Sequence, residues 1–259
     1  MSIVLDEHQW AEDAINNNNM GKKPFETLSR VARYYIDEGY SKEETRALLD
    51  NYLLRCDPNV SLPKWANTLD HALGRALKYQ AIVIDSIKIT ETEIKTISSI
   101  PGRIEQRLAF TLLCLSKYWN YINPNMNCWV CNPDSEIMKL ANIEIGTRKQ
   151  CSLYHTLWEL GLIQFSKNVG NTTVRVLFLD DNTENIALEI NDFRNLGYQY
   201  QNFRGNFAGK QYFQCAECGL IDKYKDSKRG LKQKYCRSCA VKVQTRQKVN
   251  YVMKQRLVS

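Results

Sequence analysis

Cys215, Cys218, Cys236 and Cys239 stand in the order C-x2-C-x17-C-x2-C, the spacing of two thiolate knuckles that close one tetrahedral metal site. Each knuckle brings two sulfurs onto one tight turn, and two knuckles complete the shell. Gly219 follows the first pair, where the turn asks for a permissive φ, and the small Ala240 follows the second. Four unlinked cysteines or a disulfide pair are the alternative; paired spacing in a reducing compartment favours metal. The expected ion is one structural Zn²⁺ per chain, because a Cys₄ shell leaves no open position for water or substrate.

The surroundings of these thiols are basic. From Gln199 to Ser259 there are 14 Lys/Arg against 3 Asp/Glu, whereas the whole chain carries +7. Four thiolates and one Zn²⁺ remove two charges and leave this lobe at about +9. Such asymmetry predicts an acidic partner, nucleic acid first. Between the knuckles lie Lys223, Lys225, Lys228, Arg229, Lys232 and Lys234, with Tyr224 and Tyr235 interleaved. The pattern suits a hairpin lying on a phosphate backbone, its aromatics available to stack on unpaired bases. After Cys239 a helix to about Leu257 is expected, carrying Lys242, Arg246, Lys248, Lys254 and Arg256, with Val241, Val249, Val252 and Met253 as apolar members. A solvated basic helix packed on its own ribbon is the competing reading.

The elements that must position this lobe begin with helices. Pro24 marks a helix entry, followed at helical spacing by Phe25, Leu28, Val31, Ala32, Tyr35 and Ile36. Ser41 with Glu44 forms a capping box for a second helix through Thr45, Leu48, Leu49, Tyr52 and Leu53. A third follows Asp57-Pro58-Asn59, around Trp65, Leu69, Leu73 and Leu77. His71 reads as an ordinary helical side chain, and Asn16–Asn19 as a loop. Residues 82–89 read as a strand or extended linker, Thr90 with Glu93 caps a short helix, and Pro101-Gly102 sets a domain boundary.

From Arg103 the order of elements is informative. The pattern predicts a helix to about Ile122, a short strand Cys128–Cys131, and a helix through Ile137, Met138, Leu140 and Ala141 capped by Asp134 or Ser135. A third helix, Thr147–Leu160, is stopped by Gly161, and a hairpin joins Leu162–Phe165 to Val174–Leu179 across Val169–Asn171. This is the winged-helix order, and Leu157-Trp-Glu-Leu-Gly-Leu-Ile163 resembles the end of a winged-helix recognition helix entering its wing. The resemblance implies that the third helix enters the major groove and the wing touches phosphates. The residues it points to are Thr147, Arg148, Lys149, Ser152 and His155, with Lys167 and Arg175 on the hairpin. Arg148 suits a guanine edge, while Lys149 and Lys167 suit phosphates. Many winged helices bind proteins instead, and residues 103–179 carry only 8 basic against 5 acidic side chains. Cys128 and Cys131 form a further CxxC, but strand residues three apart face opposite sides, so they read as core or half-buried thiols, like Cys151.

Asp180 to Tyr198 is acidic, 5 carboxylates against 1 basic residue. Ile186–Ile190 fits a strand extending the winged-helix sheet, and Asn195–Gly209 reads as a connector anchored by Tyr198, Tyr200 and Phe203. The expected architecture is mainly α with small β. A helical docking domain spans 1–100, a winged helix 101–180, a connector with an extra strand 181–210, and a zinc ribbon with a basic C-terminal helix 211–259.

Composition bounds the rest. With 44% hydrophobic and 10% aromatic residues the chain is globular. It has no stretch of about 18 apolar residues and no signal-peptide pattern, so no membrane partner is expected and the compartment is cytoplasmic. No nucleophile–base pair or paired carboxylates mark an enzyme. Gly39-Tyr40-Ser41-x-Glu43-Glu44 resembles helical modules appended to replication proteins of mobile elements. The whole order resembles phage or mobile-element DNA-binding proteins of low-GC bacteria, which implies a bacterial host cell. It further implies a role in replication or transcription, duplex DNA favoured over RNA, and a protein partner on the N-terminal helices. The second reading is an adaptor or inhibitor that docks on a host or defence nucleoprotein.

Overall fold

The computed structural model describes residues 3–167, 173–180, 182, 184–205, 211–224 and 233–258, the last five without side-chain detail. Ten α-helices and seven short strands lie among them, so the chain is mainly helical with small sheets. Two compact units divide at Ser86/Ile87.

The first unit holds α1 (Glu7–Asn16), α2 (Pro24–Asp37), α3 (Lys42–Cys56) and α4 (Leu62–Ala76). Pro24 stands at the first helical position, where its missing N–H costs nothing. Ser41 and Glu44 form the capping box in both directions. Gly39, at φ +92°, lets Tyr40 N reach back to the Tyr35 carbonyl and end α2. Leu28, Val31 and Ala32 meet Leu49, Tyr52, Leu69 and Ala72 in one core. The helix α1 has no sequence signal of comparable strength, since its buried apolar face is two alanines. Its anchor is polar. Glu7, only 2% exposed, accepts from Arg30 Nε (3.0 Å), Arg33 Nε (2.9 Å), Arg33 Nη2 (2.7 Å) and the Ile82 amide (3.2 Å).

The second unit begins earlier than Pro101. Strand β1 (Ile87–Thr90) and α5 (Glu91–Ser98) belong to it because β1 pairs antiparallel with β5 (Ile186–Ile190), Ile87 opposite Ile190. That pairing also corrects the expected placement of 186–190, which forms its own two-stranded sheet and does not extend the neighbouring one. A buried pair supports the junction. The fully buried Glu93 carboxylate meets Lys117 Nζ at 2.8 Å and accepts from the amides of Thr90 and Asp180, each at 2.8 Å.

The central element is α6 (Arg103–Ile122), buried continuously from Leu108 to Ser116. Around it stand β2 (Trp129–Val130), α7 (Asp134–Leu140), α8 (Thr147–Glu159), β3 (Ile163–Phe165) and β4 (Val174–Val176). The three strands form a sheet in the order β2-β4-β3. Its inner face is Val130, Ile163, Val174 and Val176, and its outer face aligns Trp129, Arg175 and Gln164. Neither Asp134 nor Ser135 caps α7; Asp134 is already helical and accepts from the Tyr154 hydroxyl at 3.1 Å.

The expected connector is also corrected. Residues 196–204 form α9 (Leu196–Arg204), and its fully buried Tyr200 ring lies 5.0 Å from Phe110 on α6. Gly197 makes this possible: a Cβ there would sit 2.0 Å from the Ala141 carbonyl oxygen. The chain closes with β6 (Tyr212–Gln214) paired to β7 (Ile221–Lys223), then α10 (Arg237–Val258). No helix among the described residues is long and apolar enough to cross a membrane.

Candidate functional site

The first knuckle follows β6. Cys215 N donates to the Leu220 carbonyl at 2.8 Å, and Gly219 N donates to the Cys215 carbonyl at 2.9 Å. That loop turns through Gly219 at φ +70°, the conformation a side chain would strain. The second knuckle is built on the entry of α10, where Ala240 N donates to the Cys236 carbonyl at 2.9 Å. Ala216 N, donating to the Lys234 carbonyl at 3.0 Å, ties the two knuckles together.

The four sulfurs lie within 4.8 Å of one another, with Cys218 and Cys236 at 3.8 Å. Cys215, Cys236 and Cys239 are buried, and Leu220 and Tyr235 pack against them. Among the described residues this is the cluster that could hold a metal ion. Its electrostatics fit that use. Burial acts to raise the Cys215 thiol, but the amides of Cys236, Cys218 and Glu217 aimed at its sulfur bring it down to about 6. Cys236 is lowered in the same way, burial opposed by the Ser238 hydroxyl and the Cys239 amide. Cys239 moves oppositely, up to about 12, because its proton is shared with Cys218 and held by burial and the other two sulfurs. Four sulfurs this close cannot all be anionic without a cation among them.

Around the cluster the basic side chains divide into free and engaged. Lys223, Lys234, Arg237, Lys242 and Lys248 are exposed. Arg246, one of the expected phosphate contacts, pairs with Glu217 of the first knuckle at 2.6 Å and so fastens α10 to it. Tyr224 is not free for base stacking: its ring lies 4.9 Å from Phe213 within the lobe. Lys225, Lys228, Arg229 and Lys232 lie outside the described residues, as do the side chains of Lys254 and Arg256. Val241, Val249, Tyr251, Val252 and Met253 are 46–65% exposed, so α10 does not bury its apolar members on the ribbon.

The candidates on α8 all lie off its buried stripe. Thr147, Arg148, Lys149, Ser152 and His155 are all exposed, whereas Leu153, Tyr154 and Leu157 are buried. Cys151 and Trp158 stand on the outward side too; helical spacing from Arg148 and His155 places them there, a signal already present in the sequence. His155 sits 5.4 Å from the Trp158 ring and 3.4 Å from Glu159. Lys167 is exposed, and the hairpin turn Val169–Asn171 lies outside the described residues. Arg175 departs from expectation. Its Nε and Nη2 donate to the backbone carbonyl and Oδ1 of Asn127 at 3.0 and 2.7 Å, so its guanidinium braces the turn before β2. Cys128 lies in that turn at φ +67°, outside the strand, and Cys131 is exposed, so the strand expected over 128–131 shortens to two residues.

No protein-family model, no curated protein and no solved structure matches this chain.

Proposed function

We propose that this chain is a non-enzymatic nucleic-acid-binding protein, a winged helix joined to a zinc ribbon, with duplex DNA its preferred partner. The observation that carries the reading is the thiol cluster rooted at the entry of α10, a helix with 6 Lys/Arg and no Asp/Glu. A tetrahedron of sulfurs about 2.3 Å from a central zinc has edges of about 3.8 Å, and Cys218–Cys236 is 3.8 Å. The donor set therefore fits Zn²⁺, which would fold the lobe and leave its charges outward. The order α6, β2, α7, α8, β3, β4, with the β2-β4-β3 sheet, supports the winged-helix reading. In that reading Thr147, Arg148, Lys149, Ser152 and His155 face the groove while the lobe and α10 follow phosphates.

A second reading, docking on a nucleoprotein of a host or defence system, is favoured by one feature. Trp158 and Leu160, 49% and 47% exposed at the end of α8, suit a protein contact better than a phosphate. Equilibrium binding of the metal-loaded protein to duplex, single strand and RNA over a salt series separates the two. Duplex preference lost in Arg148→Ala/Lys149→Ala, with a log–log salt slope of roughly −5, supports the first. Binding blind to those substitutions, and abolished when the basic tail after Cys239 is deleted, supports the second. No binding to any polynucleotide at low salt refutes both, and elemental analysis showing no zinc refutes the ribbon.

A further inference from the structure

The metal lobe and the turn before α8 lie far apart in sequence, yet side-chain hydrogen bonds through Asn195 and Asn142 join them. We infer that Asn142, Arg194 and Asn195 are positioning residues that make the metal lobe the support of the α7–α8 turn, so that metal occupancy sets how firmly α8 is held. This rests on the metal-centre reading but on no nucleic-acid contact.

The contacts run as follows. Arg194 Nη2 donates to the carbonyl of Cys218, within the first knuckle, at 3.1 Å. Asp192 holds that guanidinium in place through Nε at 2.9 Å and Nη2 at 2.7 Å. The next residue, Asn195, donates from Nδ2 to the carbonyl of Ile221, on the strand leaving the same knuckle, at 3.0 Å. Its Oδ1 accepts from Asn142 Nδ2 at 2.9 Å, and Asn142 Oδ1 in turn accepts from the Tyr198 amide at 3.1 Å.

The two asparagines have no freedom to flip. A carbonyl at one end of the series demands an N–H, and a backbone N–H at the other end demands an oxygen. Each intermediate amide is oriented by its neighbours. Both residues also occupy the left-handed region, Asn142 at φ +56° and Asn195 at φ +55°, which asparagine tolerates better than other side chains.

Asn142 is where the lobe's position becomes α8's position. It ends α7: its amide donates to the Lys139 carbonyl, and Ile143 N donates to the Met138 carbonyl at 2.8 Å. Only residues 143–146 separate it from Thr147, the first residue of α8. Gln150, one turn into α8, donates back to the Ile145 carbonyl at 2.9 Å and fixes the turn to the helix. Helix α8 itself begins at Gly146 without a side-chain cap, so its entry draws support from this turn. If the knuckle loosens, the carbonyls of Cys218 and Ile221 move. Asn195 and Asn142 then lose their anchor.

Amide hydrogen exchange across 139–150, on metal-loaded and chelator-stripped full-length protein with metal content measured in each sample, tests the assignment. Stripping the metal from the wild type should speed exchange there by about thirtyfold, the loss of two hydrogen bonds of ordinary net worth. Asn195→Gly keeps the left-handed backbone and all four cysteines. It should hold one metal per chain, yet exchange fast at 139–150 whether or not metal is bound. Asn142→Asp, which retains the acceptor for Tyr198 but not the donor to Asn195, should behave likewise. Wild-type protein that binds metal but shows no change at 139–150 on stripping overturns the coupling alone, as does an Asn195→Gly protein that keeps the full metal response. Wild-type protein that takes up no metal overturns the metal centre and the coupling together.

Discussion

Glu217 lies between the two cysteines of the first knuckle and occupies Arg246 at 2.6 Å. If the lobe grips a polyanion, that carboxylate works against it twice: it engages one cation and adds one negative charge to the surface. Glu217→Gln keeps the backbone amide that points at the Cys215 sulfur, so the metal site should survive. Each phosphate neutralised on duplex DNA steepens the log–log salt dependence by about 0.9. Freeing Arg246 for one more phosphate should therefore move a slope of roughly −5 to roughly −6. Carried from about 1 M to about 0.1 M salt, a change of 0.9 amounts to about 8-fold tighter binding, or about 1.2 kcal/mol. Fluorescence anisotropy with a labelled duplex over a salt series reads both quantities. Arg246→Ala in the Glu217→Gln background should return the slope to its starting value. An unchanged slope in Glu217→Gln, with metal content intact, would show that Arg246 is a structural strut and the phosphate path lies elsewhere.

Glu7→Ala strands two guanidiniums, Arg30 and Arg33, that are 4% and 6% exposed. It should destabilise the first unit by about 3–5 kcal/mol in urea titration; a loss under about 1 kcal/mol would mean that water reaches the site. Gly197→Ala should destabilise by about 1–3 kcal/mol despite the helix propensity it gains, because its Cβ would meet the Ala141 carbonyl at 2.0 Å. A neutral result would show that α9 is not seated on α7. The Glu44 carboxyl is held below its ordinary value by the Ser41 amide and hydroxyl. Its contribution is therefore complete above the unfolded value, about 4.3, and is lost as pH falls through the lower folded one. Glu44→Gln should flatten the acid limb of the pH–stability curve and leave the neutral region's slope alone; an unaltered acid limb contradicts the capping assignment.

Local chemistry was legible from the chain because its partners are close in sequence. The C-x2-C spacing makes each knuckle a turn whose own amides orient the sulfurs, and Gly219 at φ +70° serves the first of them. The capping boxes at Ser41 and Thr90, the proline entry of α2 and the span of α6 follow the same logic, each written within one helical turn or one repeat of apolar spacing. The tertiary structure decided everything that depended on a distant partner. Nothing near Ile186–Ile190 announces that β1 will take it, and nothing near Leu196–Arg204 announces a helix, since Tyr200 becomes a core residue only against Phe110. Charge had the same ambiguity. Arg175 and Arg246 look like phosphate ligands in sequence, and folding assigns them to Asn127 and Glu217. A side chain carries its charge and its donors wherever it goes, but which acceptor comes within 3 Å is settled only when segments tens of residues apart have packed.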